Sequence, residues 1–261
     1  MKELHILTRD GQLNQDSRRK LKQVYHLVGF IESLVDKILE KQEVVTLLDV
    51  GAGKSYLGFI LYDLLTGARN GRLTVHGIET RADLVVKSRE LAARLGFSGM
   101  RFHCQDAASA QNDSDLPPVI DIVTALHACN TATDDAIRFA LTRRAPGLVL
   151  VPCCQAEVAA ALRRNKATAL ANPLAELWRH PIHTREFGSH VTNVLRCLQL
   201  QAHGYEVSVT ELVGWEHSMK NELIVARFDN RPGRVAAERL QALLSQLGLG
   251  ELRERFFIPL L

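Results

Sequence analysis

Residues 47–58 read LLDVGAGKSYLG. The stretch contains Gly53-Lys54-Ser55, an ending that invites the phosphates of a nucleoside triphosphate. Spacing argues against that reading. A phosphate-binding loop needs a glycine five positions before the glycine of Gly-Lys-Ser, so that a wide ring of backbone N–H groups wraps the phosphates. That position is Leu48, in the middle of an apolar run. The dinucleotide fingerprint also fits poorly. Gly51 and Gly53 supply its first two glycines, but Tyr56 stands where the third should let helix and strand pack closely. What remains is an acid, Asp49, two residues before a glycine pair at the end of a β-run. A carboxylate there is badly placed for an anion and suits a ligand with a cationic or hydroxyl-bearing group. Lys54 and Tyr56 lie beside that ligand, or are a solvated loop charge and a ring packed in the first helical turn.

Working outward, Val44–Val50 is a continuous apolar run of the kind buried on both faces of a sheet. Before it, Leu21, Val24, Val28, Ile31, Val35 and Ile38 recur at helical spacing over Ser17–Glu40, with Ser17 as N-cap. After it, helices over Ser55–Leu65, Ala82–Leu95 and Thr131–Arg143 alternate with strands. Those strands are Leu73–Glu79, Met100–Asp106, Val119–Ala128 and Gly147–Pro152. The alternation predicts a parallel sheet with helices on both faces. A helix over Gln155–Arg164 follows, then a stretch of little periodicity at 165–184 and a helix carrying Phe187, Val191, Val194, Leu195 and Leu198. YEVSVTELV and NELIVARF are two strands joined by only GWEHSMK, too short for a crossover helix, so they should be antiparallel. Val235–Leu247 is an amphipathic helix, followed by the tail RFFIPLL.

The totals set bounds. With 261 residues, 46% of them hydrophobic, the chain can bury a full core. A net charge of +3 neither requires nor excludes nucleic acid. The five cysteines, Cys104, Cys129, Cys153, Cys154 and Cys197, are odd in number and form no C-x-x-C pair. Neither a disulfide framework nor a structural zinc site is indicated, and reduced thiols in the cytoplasm are the simplest reading. The N-terminus lacks an apolar signal core, and no run of about 18 apolar residues is present, so no membrane span is expected.

Five alternating units plus a terminal antiparallel pair, with DVGAGKSYLG at 49–58, resemble the class I S-adenosylmethionine-dependent methyltransferases. Ser55 departs from the resemblance, standing at that family's frequent third glycine. The resemblance implies a doubly wound, seven-stranded α/β sheet with an antiparallel last strand. It also implies that Asp49, Gly51, Gly53 and Glu79 bind the cofactor, Glu79 through the ribose hydroxyls, and that Asp106 and Ala107 lie at the adenine. A carboxylate can accept from two hydroxyls at once, which suits Glu79. ALHACNTATDDAI (125–137), VPCCQ (151–155) and KNELIVARF (220–228) are similar to a narrower group. It contains the methyltransferase-like 25 proteins and the C-terminal part of a glutathione-transferase-like protein. A distant similarity to a tRNA 2′-O-methyltransferase family lies in the first two of these stretches, those with the histidine and the paired cysteines.

The resemblance puts the acceptor site at the ends of strands four and five: His127, Cys129 and Asn130, with Cys153 and Cys154. In doubly wound sheets ligands sit outside these carboxyl ends. The Asn/Asp-Pro-Pro-aromatic signature of amino methylation is missing there. RNA cytosine-C5 methyltransferases use one cysteine at each of these two strand ends, but Ala128 precedes Cys129 where a proline would stand. Shaping the pocket is therefore the preferred role for these cysteines, pyrimidine chemistry is the sharper alternative, and no metal is expected. Asp134 and Asp135 favour the N-terminus of the next helix. Trp178 either stacks on a base or anchors the irregular region in the core.

The chain is thus expected to be a cytoplasmic methyltransferase with three parts: a helical arm (1–42), the catalytic domain (43–230, with an insertion at about 160–190) and a helical extension (231–261). RNA is the favoured acceptor, through Arg18, Arg19, Lys20 and Lys22 at the head of the first helix and through Arg163, Arg164, Lys166, Arg179 and Arg185 beyond strand five. His180, His183 and His190 lie in that second group. DNA and membranes are not expected partners. A protein side chain or a small metabolite is the alternative acceptor. A binding module without turnover is the alternative class.

Overall fold

Val45–Val50 (β1) sends successive side chains to opposite faces, and both faces are apolar. Val45 and Leu47 enter one core; Leu48 and Val50 enter another. Such a strand is stable only between two layers of helices, and the computed structural model of the chain builds those layers around it. It describes residues 15–69, 71–126, 131–152, 156–165, 173–212, 222–231 and 233–256, the side chains of 15–23 and 68 excepted.

The further strands are β2 (Leu73–Glu79), β3 (Met100–Cys104), β4 (Ile122–Leu126), β5 (Gly147–Val151), β6 (Tyr205–Glu211) and β7 (Glu222–Phe228). They form one seven-stranded sheet in the order β3-β2-β1-β4-β5-β7-β6. β1 to β5 are parallel, and β7 runs antiparallel to both β5 and β6, as the short connection required. The order reverses beside β1, which lies between β2 and β4. That is the switch point at which doubly wound sheets open a crevice at their carboxyl ends.

One face is covered by α1 (Gln15–Leu39), α2 (Tyr56–Ala68) and α3 (Ala82–Leu95). Leu27, Ile31 and Val35 of α1 are buried with Leu47, Leu61 and Val75, so this helix completes the core of the sheet. Residue 17 lies inside α1, which begins at Gln15, so Ser17 is not its N-cap. The other face carries α4 (Ala107–Ala110) and α5 (Thr131–Arg143). α3 ends on Gly96 in the left-handed conformation, φ 69°, as its place after Leu95 predicted.

The described part of the stretch at 165–184, from residue 173 on, is helical where little periodicity had been visible. After α6 (Glu157–Arg164), Pro173–Trp178 forms a 3₁₀ helix and α7 runs over Pro181–Ala202, with proline in its first turn. Val158 and Leu162 of α6, Trp178, and Val191 and Leu195 of α7 share a third core with Leu240, Leu244 and Phe256. The last three come from α8 (Arg234–Gln246) and α9 (Arg253–Phe256). Gly188 permits the contact between α6 and α7: a Cβ there would stand 2.8 Å from the Ala159 backbone. Trp178 is 2% exposed and stacks on Phe187 at 5.0 Å, so it anchors this body and is not available to a base.

A buried ion pair joins that body to the sheet. Arg196 of α7, 1% exposed, donates to both oxygens of Asp134 at 2.7 and 2.9 Å. Asp134 lies in the first turn of α5, but its charge is held by this guanidinium and does not merely favour the helix dipole. Arg196 also donates to Asn193, whose amide donates to Glu222 at the start of β7. Removing one partner of such a pair strands a buried charge, so Arg196→Ala should lower the unfolding free energy by about 3–5 kcal/mol. The apolar double substitution Asp134→Leu/Arg196→Met should recover most of the loss. Urea titration of the three proteins checks this; a single substitution costing under about 1 kcal/mol, the range of exposed pairs, would contradict it.

Candidate functional site

The loop after β1 turns back on itself through three left-handed residues, Gly51 (φ 68°), Gly53 (φ 59°) and Ser55 (φ 52°). Ser55, the departure noted in the sequence, thus holds a left-handed backbone that glycine would adopt without strain. The Ser55 hydroxyl is buried without a hydrogen-bond partner. The close helix–strand approach that Tyr56 could not supply comes from Gly58. A Cβ there would lie 3.3 Å from Val75 and 2.5 Å from the Ser55 hydroxyl. Gly77 opens the other side, where a Cβ would lie 3.3 Å from that of Ala52. Lys54 is exposed and Tyr56 half-buried, its hydroxyl pKa raised by burial.

Two carboxylates flank this loop, in opposite electrostatic states. Asp49, 3% exposed, accepts from the Thr124 hydroxyl of β4 at 2.8 Å. Burial pushes its pKa up to about 7, against the opposing pull of that hydrogen bond. Glu79, at the end of β2, accepts from the Gly53 N–H at 2.8 Å. It also accepts from the Arg81 N–H at 3.0 Å and from the Arg81 guanidinium at 3.1 and 3.2 Å. Burial alone would raise its pKa, but the Arg81 guanidinium and N–H, with the Gly53 N–H, hold it down to about 2. The sequence reading missed Arg81 and Thr124. Arg81 carried a weak signal, two residues beyond the acid. Thr124 carried none, being 75 residues from Asp49.

Asp106 is exposed and caps α4, accepting from the Ser109 N–H at 2.7 Å, which lowers its pKa. Ala107 is buried in the core beside α5. Asp49, Gly51, Gly53 and Glu79 are thus brought together, with Asp106 and Ala107 beyond β3. His127, Cys129, Asn130, Cys153 and Cys154 lie outside the described residues. The strands that lead into them end side by side, with Leu126 of β4 in register with Val151 of β5. β4 in turn pairs with β1 through Asp49 and Thr124. Both stretches therefore start at the carboxyl edge that carries the glycine loop.

Of the second arginine group, Arg164 pairs with Glu251 at 2.8 Å, Arg179 with Glu176 at 3.1 Å and Arg185 with Glu186 at 2.9 Å. Its positive charge is partly neutralised. No group of three or more His, Cys, Asp or Glu side chains that could hold a metal occurs among the described residues. A cavity of about 810 Å³ opens along the β3 edge, lined by His76, Arg89, Phe97, Arg101 and His103. His76 contacts His103 at 3.1 Å, and its pKa falls to about 4 through burial and the neighbouring His103 and Arg101 charges. This cavity is separate from the carboxyl-end crevice.

A family model described as a methyltransferase domain matches residues 19–161. No curated protein matches the chain significantly. Among solved structures, an rRNA methylase from Streptococcus thermophilus is 11% identical, with 77% of this chain and 93% of that chain covered and a TM-score of 0.44. Magnesium protoporphyrin IX methyltransferase from Synechocystis, with bound S-adenosylhomocysteine (SAH), is 14% identical over 84% and 89%, TM-score 0.46. A plantazolicin methyltransferase, also with SAH, is 14% identical over 83% and 87%, TM-score 0.48.

The raised pKa of Asp49 has a sign that can be measured. A carboxyl whose folded pKa lies above its unfolded value holds its proton more tightly when folded, so stability falls as pH rises from about 4 to about 7. Glu79 works in the opposite sense at lower pH: its contribution is present above the ordinary glutamate value of 4.5 and is lost as pH falls toward 2. Buried His76, whose pKa falls to about 4, acts in the opposite sense below pH 6.5 in both proteins, so urea unfolding between pH 5 and 8 should show a slope of stability against pH that is more negative in the natural protein than in Asp49→Asn. Equal slopes would contradict the assignment.

Proposed function

The chain belongs to the methyltransferase domain family, and from that premise we propose that its methyl donor is S-adenosylmethionine and its acceptor a structured RNA. The observation that carries this reading is the head of α1, where Arg18, Arg19, Lys20 and Lys22 fall within five residues. Those residues precede the buried part of α1, which seats Leu27, Ile31 and Val35 on the sheet. A basic turn beyond an anchored helix suits phosphate contacts, which supply most sequence-independent affinity for nucleic acid. The subfamily with the methyltransferase-like 25 proteins and a cytoplasmic location are part of the same reading.

The donor site we assign is Asp49, Gly51, Gly53 and Glu79, with Asp106 and Ala107 toward the adenine. The residues present fit the group. Glu79 is anchored by backbone donors and stays ionised, as an acceptor for two hydroxyls must. Gly53 leaves open a space that a Cβ would share with the Arg81 guanidinium and Glu79 Oε2, at 3.8 and 4.0 Å. Asp49 offers a buried carboxyl that a nearby cationic group would ionise. When bound, S-adenosylmethionine supplies an electrophilic methyl group.

The chain's own task is then to align a nucleophile and to take its proton. We assign proton removal to His127, with Cys129, Asn130, Cys153 and Cys154 shaping the acceptor pocket. Neither Cys129 nor Cys153 is an obligatory nucleophile, so each Cys→Ala variant should keep turnover. A folded, cofactor-binding but inactive variant would point instead to pyrimidine-C5 chemistry.

The ion pairs at Arg164, Arg179 and Arg185 favour a second reading, a protein or small-molecule acceptor, because they leave the insertion less basic than its sequence. Filter binding of total RNA separates the two. At about 50 mM salt RNA should be retained, and retention should fall steeply with added salt. Arg18→Ala/Arg19→Ala should weaken it by more than Arg163→Ala/Arg164→Ala, with SAH affinity unchanged in both. No retention would contradict the RNA reading. Tritiated S-adenosylmethionine, offered with RNA and protein extracts from cells lacking the gene, would then identify the acceptor.

A further inference from the structure

Glu79 carries more donors than a carboxylate can comfortably hold. Its Oε1 accepts from the Thr80 hydroxyl (3.3 Å), the Arg81 N–H (3.0 Å) and the Arg81 Nε (3.1 Å). Its Oε2 accepts from the Gly53 N–H (2.8 Å) and the Arg81 Nη2 (3.2 Å). Five donors meet about four lone-pair sites. A ligand bearing two vicinal hydroxyls therefore finds no vacancy there unless a resident donor leaves.

The donors differ in their freedom to do so. The Gly53 and Arg81 N–H groups belong to the backbone, and the Thr80 hydroxyl sits on the neighbouring residue of the chain. The Arg81 side chain is 63% exposed, while that of Glu79 is 9% exposed. The guanidinium and the exposed Thr80 hydroxyl can both turn into water without moving the fold, but the hydroxyl holds one oxygen only, at 3.3 Å. Its fork also covers both carboxylate oxygens at once, which is where a diol would bind. Its Nη2 lies within reach of the Gly53 space, so the same side chain overhangs the glycine loop.

Resting on the assignment of Glu79 to the donor ribose, we infer that Arg81 is a built-in competitor of that ribose. Its guanidinium holds both oxygens of Glu79 in the free enzyme, turns out when the cofactor enters, and returns as the spent cofactor leaves. The arginine keeps Glu79 paired between turnovers and hastens release of SAH. The acid itself stays anchored by Gly53 throughout.

Calorimetry and stopped-flow dissociation with SAH test this on the full chain and three variants. Arg81→Ala and Arg81→Gln should bind SAH roughly two- to five-fold more tightly than the natural protein at low salt, the range of an exposed ion pair. The gain should lie in slower dissociation. It should shrink toward nothing near 1 M salt, where screening has already weakened the Arg81–Glu79 pair. A structural role for Arg81 would give no such salt-dependent convergence. Glu79→Ala supplies the control. If Glu79→Ala weakens SAH binding but Arg81→Ala and Arg81→Gln bind it equally or less tightly than the natural protein, the competitor is overturned and the ribose assignment stands. If Glu79→Ala leaves affinity unchanged, the ribose assignment falls and the competitor falls with it.

Discussion

The hydrogen bond from the Gly53 N–H to Glu79 Oε2 is the contact around which this end of the sheet is arranged. A buried carboxylate is tolerated only when it is well bonded. Here one backbone donor comes from the loop after β1 and another from the residue two places beyond the acid. For the loop to reach β2, its backbone must turn left-handed at residues 51, 53 and 55. On β2, residue 77 is a glycine because a Cβ there would stand 2.9 Å from the Phe102 ring of β3, and it would also crowd Ala52 of the loop at 3.3 Å. The helix that follows must then lie close to the sheet, which Gly58 permits. One hydrogen bond thus accounts for several residues that look unrelated in the sequence.

The two acids of the crevice illustrate how environment divides like groups. Asp49 is buried with a hydroxyl partner and rests near its titration point. Glu79 is surrounded by N–H donors and remains ionised far below neutrality. An ionised acid suits hydroxyls. A carboxyl poised near 7 responds to an incoming positive charge by giving up its proton. On the proposed assignment, the donor side is built on strand ends and backbone, and the acceptor side is assigned to the stretches that follow β4 and β5, since loops can vary while the sheet stays fixed.

Most of the sheet was legible because buried parallel strands are continuous apolar runs. Leu73–Glu79 and Ala82–Leu95 fall where the sequence placed them. Edges were less so. The run at Val119–Ala128 pairs only from Ile122, since Val119 is 61% exposed, and its last two residues lie outside the described ones. The region after α6 resisted reading for a different reason. Its order comes from partners remote in sequence: Trp178 with Phe187 and the C-terminal helices, Arg164 with Glu251, Arg196 with Asp134. No local periodicity records such contacts. They also turned one candidate functional group, Trp178, into a structural one, while Arg164, Arg179 and Arg185 stay more than half exposed in their ion pairs. Around the crevice, Asp49 and Glu79 were visible as acids at strand ends. Arg81, which decides how accessible Glu79 is, shows its role only through distance and exposure.

The central claim is that Glu79 receives the cofactor's ribose at the crevice beside β1. A crystal structure of the chain with SAH measures this most directly. The account predicts both ribose hydroxyls within hydrogen-bond distance of the Glu79 carboxylate, the Gly53 N–H still on Oε2, and the Arg81 guanidinium turned away. A ribose seated elsewhere, with the Arg81 guanidinium still on both oxygens of Glu79, would contradict it.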